Sequence, residues 1–185
     1  MEQRATHARG AGELGITLDP DGNHAPVSES RRNGVQKITV EFDAAVEAAD
    51  ESLDVNDVVV TDSLSNPYPP SAVALLAGGT VLEIEFGAGL PDQKRYTIEL
   101  AGKFEKAGTE VPIGGDTDCQ VRGLVGDVNS DGSANNIDMF AVKARNGSPV
   151  GAANPQNTPF DLNTSGDINL IDMALARSVN GHSAP

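Results

Sequence analysis

Residues 127–147 read DVNSDGSANNIDMFAVKARNG, and residues 161–181 read DLNTSGDINLIDMALARSVNG. The two stretches are offset by 34 residues and are identical at nine of 21 positions. Such a duplication means one supersecondary unit used twice, each copy covering what the other leaves open. In both copies oxygen-bearing side chains fall at the first, third, ninth and twelfth positions and again at the fifth, with glycine at the sixth. Each loop runs into an apolar stretch of helical rhythm that ends at Asn-Gly, a favoured helix stop. Helices are therefore expected over about 136–146 and 170–180.

The spacing has a chemical reason. Calcium takes about six to eight hard oxygens, and alternate residues of a tight loop can supply them. The first loop offers Asp127, Asn129, Asp131, Asn135 and Asp138, with the backbone carbonyl of Ser133 at position 7. The second offers Asp161, Asn163, Ser165, Asn169 and Asp172, with the backbone carbonyl of Asp167 at position 7. Serine at position 5 removes one anionic donor, so two calcium sites are expected and the second is the weaker. The acid at position 12 falls in the first turn of a helix, where negative charge is favoured. No helix is expected before either loop. RGLVG precedes the first, and GSPVGAANPQNTPF, with three prolines, precedes the second.

Composition narrows the functions available to the 185 residues. Thirteen Lys and Arg against 27 Asp and Glu leave a net charge of −14. That balance argues against nucleic acid and against anionic membrane surfaces, and it suits hard cations. No apolar run is long enough for membrane insertion. Cys119 stands alone, so no internal disulfide forms, and the three His lie towards the chain ends. The opening MEQRATHARGAGELG has no apolar core of a signal peptide. Either a cytosolic protein or a piece of a longer exported chain is expected.

The acids shift in kind near residue 121: beyond it every acid is Asp, and Asn, Ser and Gly become frequent. Upstream, the rhythm has period two. Ile38, Val40 and Phe42, then Leu82, Ile84 and Phe86, then Tyr96, Ile98 and Leu100 alternate with polar residues. Each segment thus has one dry and one wet face. VNDVVVTD and SAVALL add strands, and SNPYPP, AGG and GAGLPD supply turns. DAAVEAADESLD is expected to form a short helical turn. Tyr96 after a Leu-Pro turn has the placement of a tyrosine corner, its phenol bonded to nearby backbone. The expected division is a lead-in over 1–33, flexible or an edge strand, a β-sandwich over 34–120, and a calcium-binding unit over 121–185.

In the first helix Ile137, Phe140, Ala141 and Ala144 share one side, and Met139 and Val142 lie on another. Both helices carry more apolar surface than one stripe, so part is core and part is free to meet a partner.

GDVNSDGSANNIDMFAVK followed by FDLNTSGDINLIDMALAR resembles a type I dockerin domain, the calcium-dependent docking module of cellulosomal and other exported bacterial proteins. The resemblance covers about residues 123–185. It implies two loop-helix units related by a pseudo-twofold, one Ca2+ in each, and a cohesin domain as partner. In that family loop positions 10 and 11, with a basic residue near position 17, face the cohesin. Here those residues are Asn136, Ile137 and Lys143 in the first copy and Leu170, Ile171 and Arg177 in the second. Asn-Ile and Leu-Ile depart from the Ser-Thr of many type I members. The upstream strands resemble bacterial immunoglobulin-like domains of exported multidomain proteins.

The fold class expected is therefore mixed: an all-β immunoglobulin-like sandwich, then a small α-helical dockerin-like pair of EF-hand-like calcium units. The function expected is non-catalytic, calcium-dependent attachment to a cohesin-like domain. The chain would be the C-terminal part of a larger exported protein, extracellular or at the cell surface, that acts on polysaccharides. The alternative is a carbohydrate-binding or adhesive sandwich with a calcium-stabilised appendage. An enzyme is not expected. Glu83 and Glu85 share the wet face of a strand, and GAGLPD fails the phosphate-binding glycine spacing.

Overall fold

The computed structural model describes residues 2–8, 13–18, 26–100, 102–115 and 117–185. Among the described residues, eleven strands are followed by two α-helices. One sheet has five strands in the order β2 (Glu13–Leu18), β1 (Glu2–Ala8), β4 (Lys37–Glu41), β8 (Val81–Glu85) and β7 (Ala72–Leu76). A second has four, β3 (Val27–Glu29), β11 (Asp118–Gly123), β9 (Lys94–Glu99) and β6 (Val59–Asp62). The small third sheet pairs β10 (Phe104–Lys106) with β5 (Val46–Ala48).

The period-two segments set the register. Ile38 pairs with Ile84 and Val40 with Leu82, so like faces meet across the strands. Val60 pairs with Ile98, and Ile98 with Cys119, in the second sheet. These side chains from both sheets belong to one buried cluster. The opposite face of the first sheet is polar, where the Lys37 ammonium meets the Glu83 carboxylate at 2.8 Å. The Tyr96 ring is fully buried, and its hydroxyl donates to the Pro91 carbonyl at 2.7 Å, the backbone anchor expected of a tyrosine corner. Burial pushes the Tyr96 hydroxyl well above the usual phenol range, so it stays a donor.

Three expectations are corrected. The stretch expected as a helical turn becomes β5, because Val46 and Ala48 alternate inward and Ala48 pairs with Phe104. Packing against that partner overrides local helix preference. A single 3-10 turn follows at Val55–Asp57, capped by Asp54. Residues 1–33, expected as a lead-in, supply three strands: β1 lies inside the first sheet, and β3 runs parallel to β11 at the edge of the second. Finally, β11 continues to Gly123, past the expected boundary at 120. His24 lies outside the described residues.

The C-terminal unit holds α1 (Asn136–Ala144) and α2 (Leu170–Ser178). Its core is small: Val142, Val150, Phe160, Leu162, Ile168 and Ala176. A 3-10 turn at Pro155–Phe160 leads into the second loop, where no helix was expected. Proline at its start fixes the backbone angle and costs no hydrogen bond there.

Residues 26–32 join the two parts. Glu29 and Arg31 form a buried bidentate ion pair, Nε to Oε1 at 2.7 Å and Nη2 to Oε2 at 2.6 Å. The remaining Arg31 nitrogen donates to the Leu14 carbonyl. Backbone bonds run from Leu124 to Glu29, from Gly126 to Ser30 and from Arg32 to Leu162. None of the helices among the described residues is long and apolar enough to cross a membrane.

The sheet domain carries its own titration signature. Lys94 donates to the buried Asp62 carboxylate at 2.7 Å, and the backbone of Leu64 and Asn66 adds further donors. Against the opposing effect of burial, Lys94 holds Asp62 far below the usual carboxylate range. A depressed folded pKa contributes stability that is complete above the unfolded value and is lost as pH falls below it. Thermal midpoints measured from about pH 5 to about pH 2 are expected to fall more steeply in the wild-type protein than in Asp62→Asn. Parallel curves would contradict this role for the pair.

Candidate metal centre and exposed helical face

The two loops share one hydrogen-bond framework at positions 1, 3, 9 and 12. At position 1, Asp127 Oδ1 accepts from the Asp131 amide at 3.1 Å and Oδ2 from the Gly132 amide at 2.9 Å. Asp161 does the same with Ser165 at 2.9 Å and Gly166 at 2.8 Å. At position 3, Asn129 and Asn163 each accept from the amide two residues on. At position 12, Asp138 accepts from Asn129 and Asn135, and Asp172 from Asn163 and Asn169. Glycine at position 6 has φ of 89° in the first loop and 95° in the second, a region that side chains resist. Ser130 and Thr164 at position 4 also adopt positive φ, 60° and 58°. Nothing in their residue type announced this.

Asn135 and Asn169 begin the helices. Each side-chain oxygen accepts from the amide two residues ahead, and Asp138 or Asp172 reaches back to the cap amide, completing a capping box. The position-9 residues therefore start the helix that carries position 12.

The copies also exchange segments. Residues after α1 pair with the second loop: Gly147 donates to Ile168, Ile168 to Ser148, and Val150 to Gly166. Residues after α2 pair with the first loop in the same pattern: Gly181 donates to Ala134, Ala134 to His182, and Ala184 to Gly132. Neither loop is closed by its own copy.

Asp127, Asp138, Asp161 and Asp172 are all buried, yet no salt bridge joins any of them to a described residue. Burial pushes both Asp127 and Asp161 above the usual carboxylate range, and the paired position-12 charge pushes the same way. Backbone amides oppose both shifts, and the Ser28 hydroxyl also does so at Asp127. Asp131, Asn129, Ser165 and Asp167 lie towards solvent at the outer side of the loops. The carbonyls of Ser133 and Asp167 accept from the side-chain Nδ2 of Asn135 and Asn169 at 3.2 Å. Among the described residues no group of three or more His, Cys, Asp or Glu forms a ready cage. The donor set instead mixes two buried carboxylates per loop with amide, hydroxyl and backbone oxygens. That mixture is the hard, oxygen-only chemistry calcium accepts, and it excludes the nitrogen and sulfur ligands of zinc.

The helices present an uncovered apolar face. Ile137, Phe140, Leu170 and Ile171 are 63%, 60%, 71% and 58% exposed, whereas side chains of this kind are usually inside. Asn136, Lys143 and Arg177 are exposed around them. Phe140, Lys143, Leu170 and Arg177 line a groove of about 340 Å³ together with Met139 and Met173. The core takes the Val142 and Ala176 sides instead. Sequence reasoning did not single out Phe140 as a surface residue. Helical period located its stripe, but not which stripe is covered.

Residues 125–178 match the dockerin type I domain family. That stretch is a dockerin region, and it is preceded by a β-sheet domain. No curated protein matches the chain. Among solved structures, the N-terminal part of the bacterial S-layer protein SbsC aligns with a TM-score of 0.39 and 18% identity. The alignment covers 54% of this chain and 22% of that one, so the chain spans well under two thirds of its length.

The capping boxes make a direct prediction. In chelator, Asn135→Ala and Asn169→Ala should each destabilise the C-terminal unit by about 1 kcal/mol in urea unfolding followed by helical circular dichroism. Unchanged midpoints in both would contradict the cap role.

Proposed function

We propose that this chain is a calcium-loaded attachment module whose C-terminal helices dock on a cohesin-type domain. A dockerin region implies a cohesin partner and typically binds Ca2+. The observation that carries the reading is the pair of buried position-1 and position-12 carboxylates in each loop, none of them in a salt bridge with a described residue. A divalent ion bound there balances that charge and ties the loop to its helix. In the first site Asp127, Asn129, Asp131, the Ser133 carbonyl, Asn135 and Asp138 would hold it. In the second Asp161, Asn163, Ser165, the Asp167 carbonyl, Asn169 and Asp172 would do so. The second remains the weaker in this reading, because Ser165 stands where Asp131 supplies a charge.

Docking would use the exposed face. Its residues would be Asn136, Ile137 and Lys143 on α1 and Leu170, Ile171 and Arg177 on α2, all exposed, together with Phe140; Phe140, Lys143, Leu170 and Arg177 line the groove. The apolar residues supply buried area on association and the two cations supply steering. The division into a sheet domain and a calcium unit, with the boundary after β11, is part of the same proposal. So are an extracellular or surface location and a longer exported parent that acts on polysaccharides. The identified region is non-catalytic. Glycan stacking on the sheet domain finds little support in its tyrosines, since Tyr96 is buried and Tyr68 packs edge-on against it at 5.1 Å.

Two outcomes test the reading. Calorimetric titration of chelator-stripped protein should show two calcium ions per chain, and Asp138→Ala should remove one. A chain that takes up none, or an Asp138→Ala variant that takes up as many as the wild type, would contradict the site assignment. In capture assays on a panel of cohesin domains, Phe140→Ala or Lys143→Glu should weaken calcium-dependent binding about tenfold or more, while calcium uptake stays unchanged. Equal capture by the variants would reject the face.

A further inference from the structure

The position-1 carboxylates of the two loops differ in one side-chain hydrogen bond from the sheet domain. Ser28, in β3 of the sheet domain, donates its hydroxyl to Asp127 Oδ2 at 2.6 Å. Its own amide donates to the Ser130 hydroxyl of the same loop at 3.0 Å. Asp127 Oδ2 already accepts from Gly132, so the serine completes that oxygen's two acceptor sites. Oδ1 accepts only from the Asp131 amide among the described residues and keeps a lone pair. In the second loop the Asp161 oxygens accept from Ser165 and Gly166 alone among the described residues. Ser28 is 2% exposed, so its hydroxyl has no competing water there.

The same short segment seats both loops. Gly126, just before the first loop, donates to the Ser30 carbonyl at 2.8 Å. The Ser30 hydroxyl donates to the Pro159 carbonyl, just before the second loop, at 2.6 Å. Arg32 donates to the Leu162 carbonyl inside it at 2.9 Å. The buried Glu29–Arg31 pair stiffens the segment between these contacts.

We propose that Ser28 is a positioning residue of the first calcium loop: it saturates Asp127 Oδ2 and turns Oδ1 to the ion. Filling that loop and seating the sheet domain are thereby coupled. The proposal rests on the calcium reading of the loops. Hydrogen bonds from groups behind a ligand orient it and raise its affinity, and their loss typically costs about 10–100-fold. Coupling is reciprocal, so whatever orders the Ser28 segment strengthens ion binding, and ion binding orders the segment. The sheet domain would then be held at a fixed orientation to the docking helices when calcium is present.

The test uses the full chain. Calcium alone is titrated calorimetrically into wild type, Ser28→Ala and Ser28→Thr, and amide exchange at Leu124, Gly126 and Arg32 is measured with and without calcium. One site of Ser28→Ala should weaken about tenfold or more while the other is unchanged, and Ser28→Thr should restore it. Exchange at the three amides should slow on adding calcium to the wild type. Identical affinities in wild type and Ser28→Ala would overturn the proposal. Equal weakening of both sites would overturn it as well, since that marks general loosening. If Ser28→Ala fails to fold, the wild-type exchange decides: protection that ignores calcium rejects the coupling. A wild-type chain that binds no calcium would instead sink the calcium reading, and the coupling with it.

Discussion

Four aspartates bring negative charge into a unit whose apolar core is a small cluster around Val142, Leu162, Ile168 and Ala176. Taking a carboxylate from water is costly unless charge or hydrogen bonds compensate it. Backbone amides of the loops provide part of the compensation, which is why the loops curl so tightly around Asp127 and Asp161. Burial still raises both groups above the normal range. In the proposed reading a divalent cation balances what remains, since one such ion satisfies two carboxylates together. A unit this small would, in that calcium reading, gain much of its stability from such a ligand, because the unfolded chain hardly binds it.

The duplication has a further structural consequence. Each loop is closed by the segment that follows the other copy's helix. Half of the unit cannot fold alone, since its loop would lack a partner strand. The two loops are therefore held together through the segments that follow the helices, and α1 and α2 lie against one another. The apolar face of those helices stays open because the core is built on their other sides.

Much of this was legible in the sequence because it is local. Donor spacing, the position-6 glycine, the Asn-Gly helix ends and the period-two strands all act over a few residues. What was missed depends on distance along the chain. Ser28 and Asp127 lie 99 residues apart, and no local pattern in SESRR marks it as a bridge. The same holds for β5, whose helix-favouring residues become a strand only because Phe104 lies opposite Ala48. Phe140 illustrates a third limit: period gives the faces of a helix, while the neighbouring helix decides which face is dry.

The most direct test of the charge argument is the thermal midpoint of the C-terminal unit as free calcium rises from chelator levels. Binding restricted to the folded form requires the midpoint to climb steadily with the logarithm of calcium concentration, with potassium at matched ionic strength having little effect. A midpoint that stays level, or that moves equally with either salt, would show that the buried aspartates are satisfied without a bound ion.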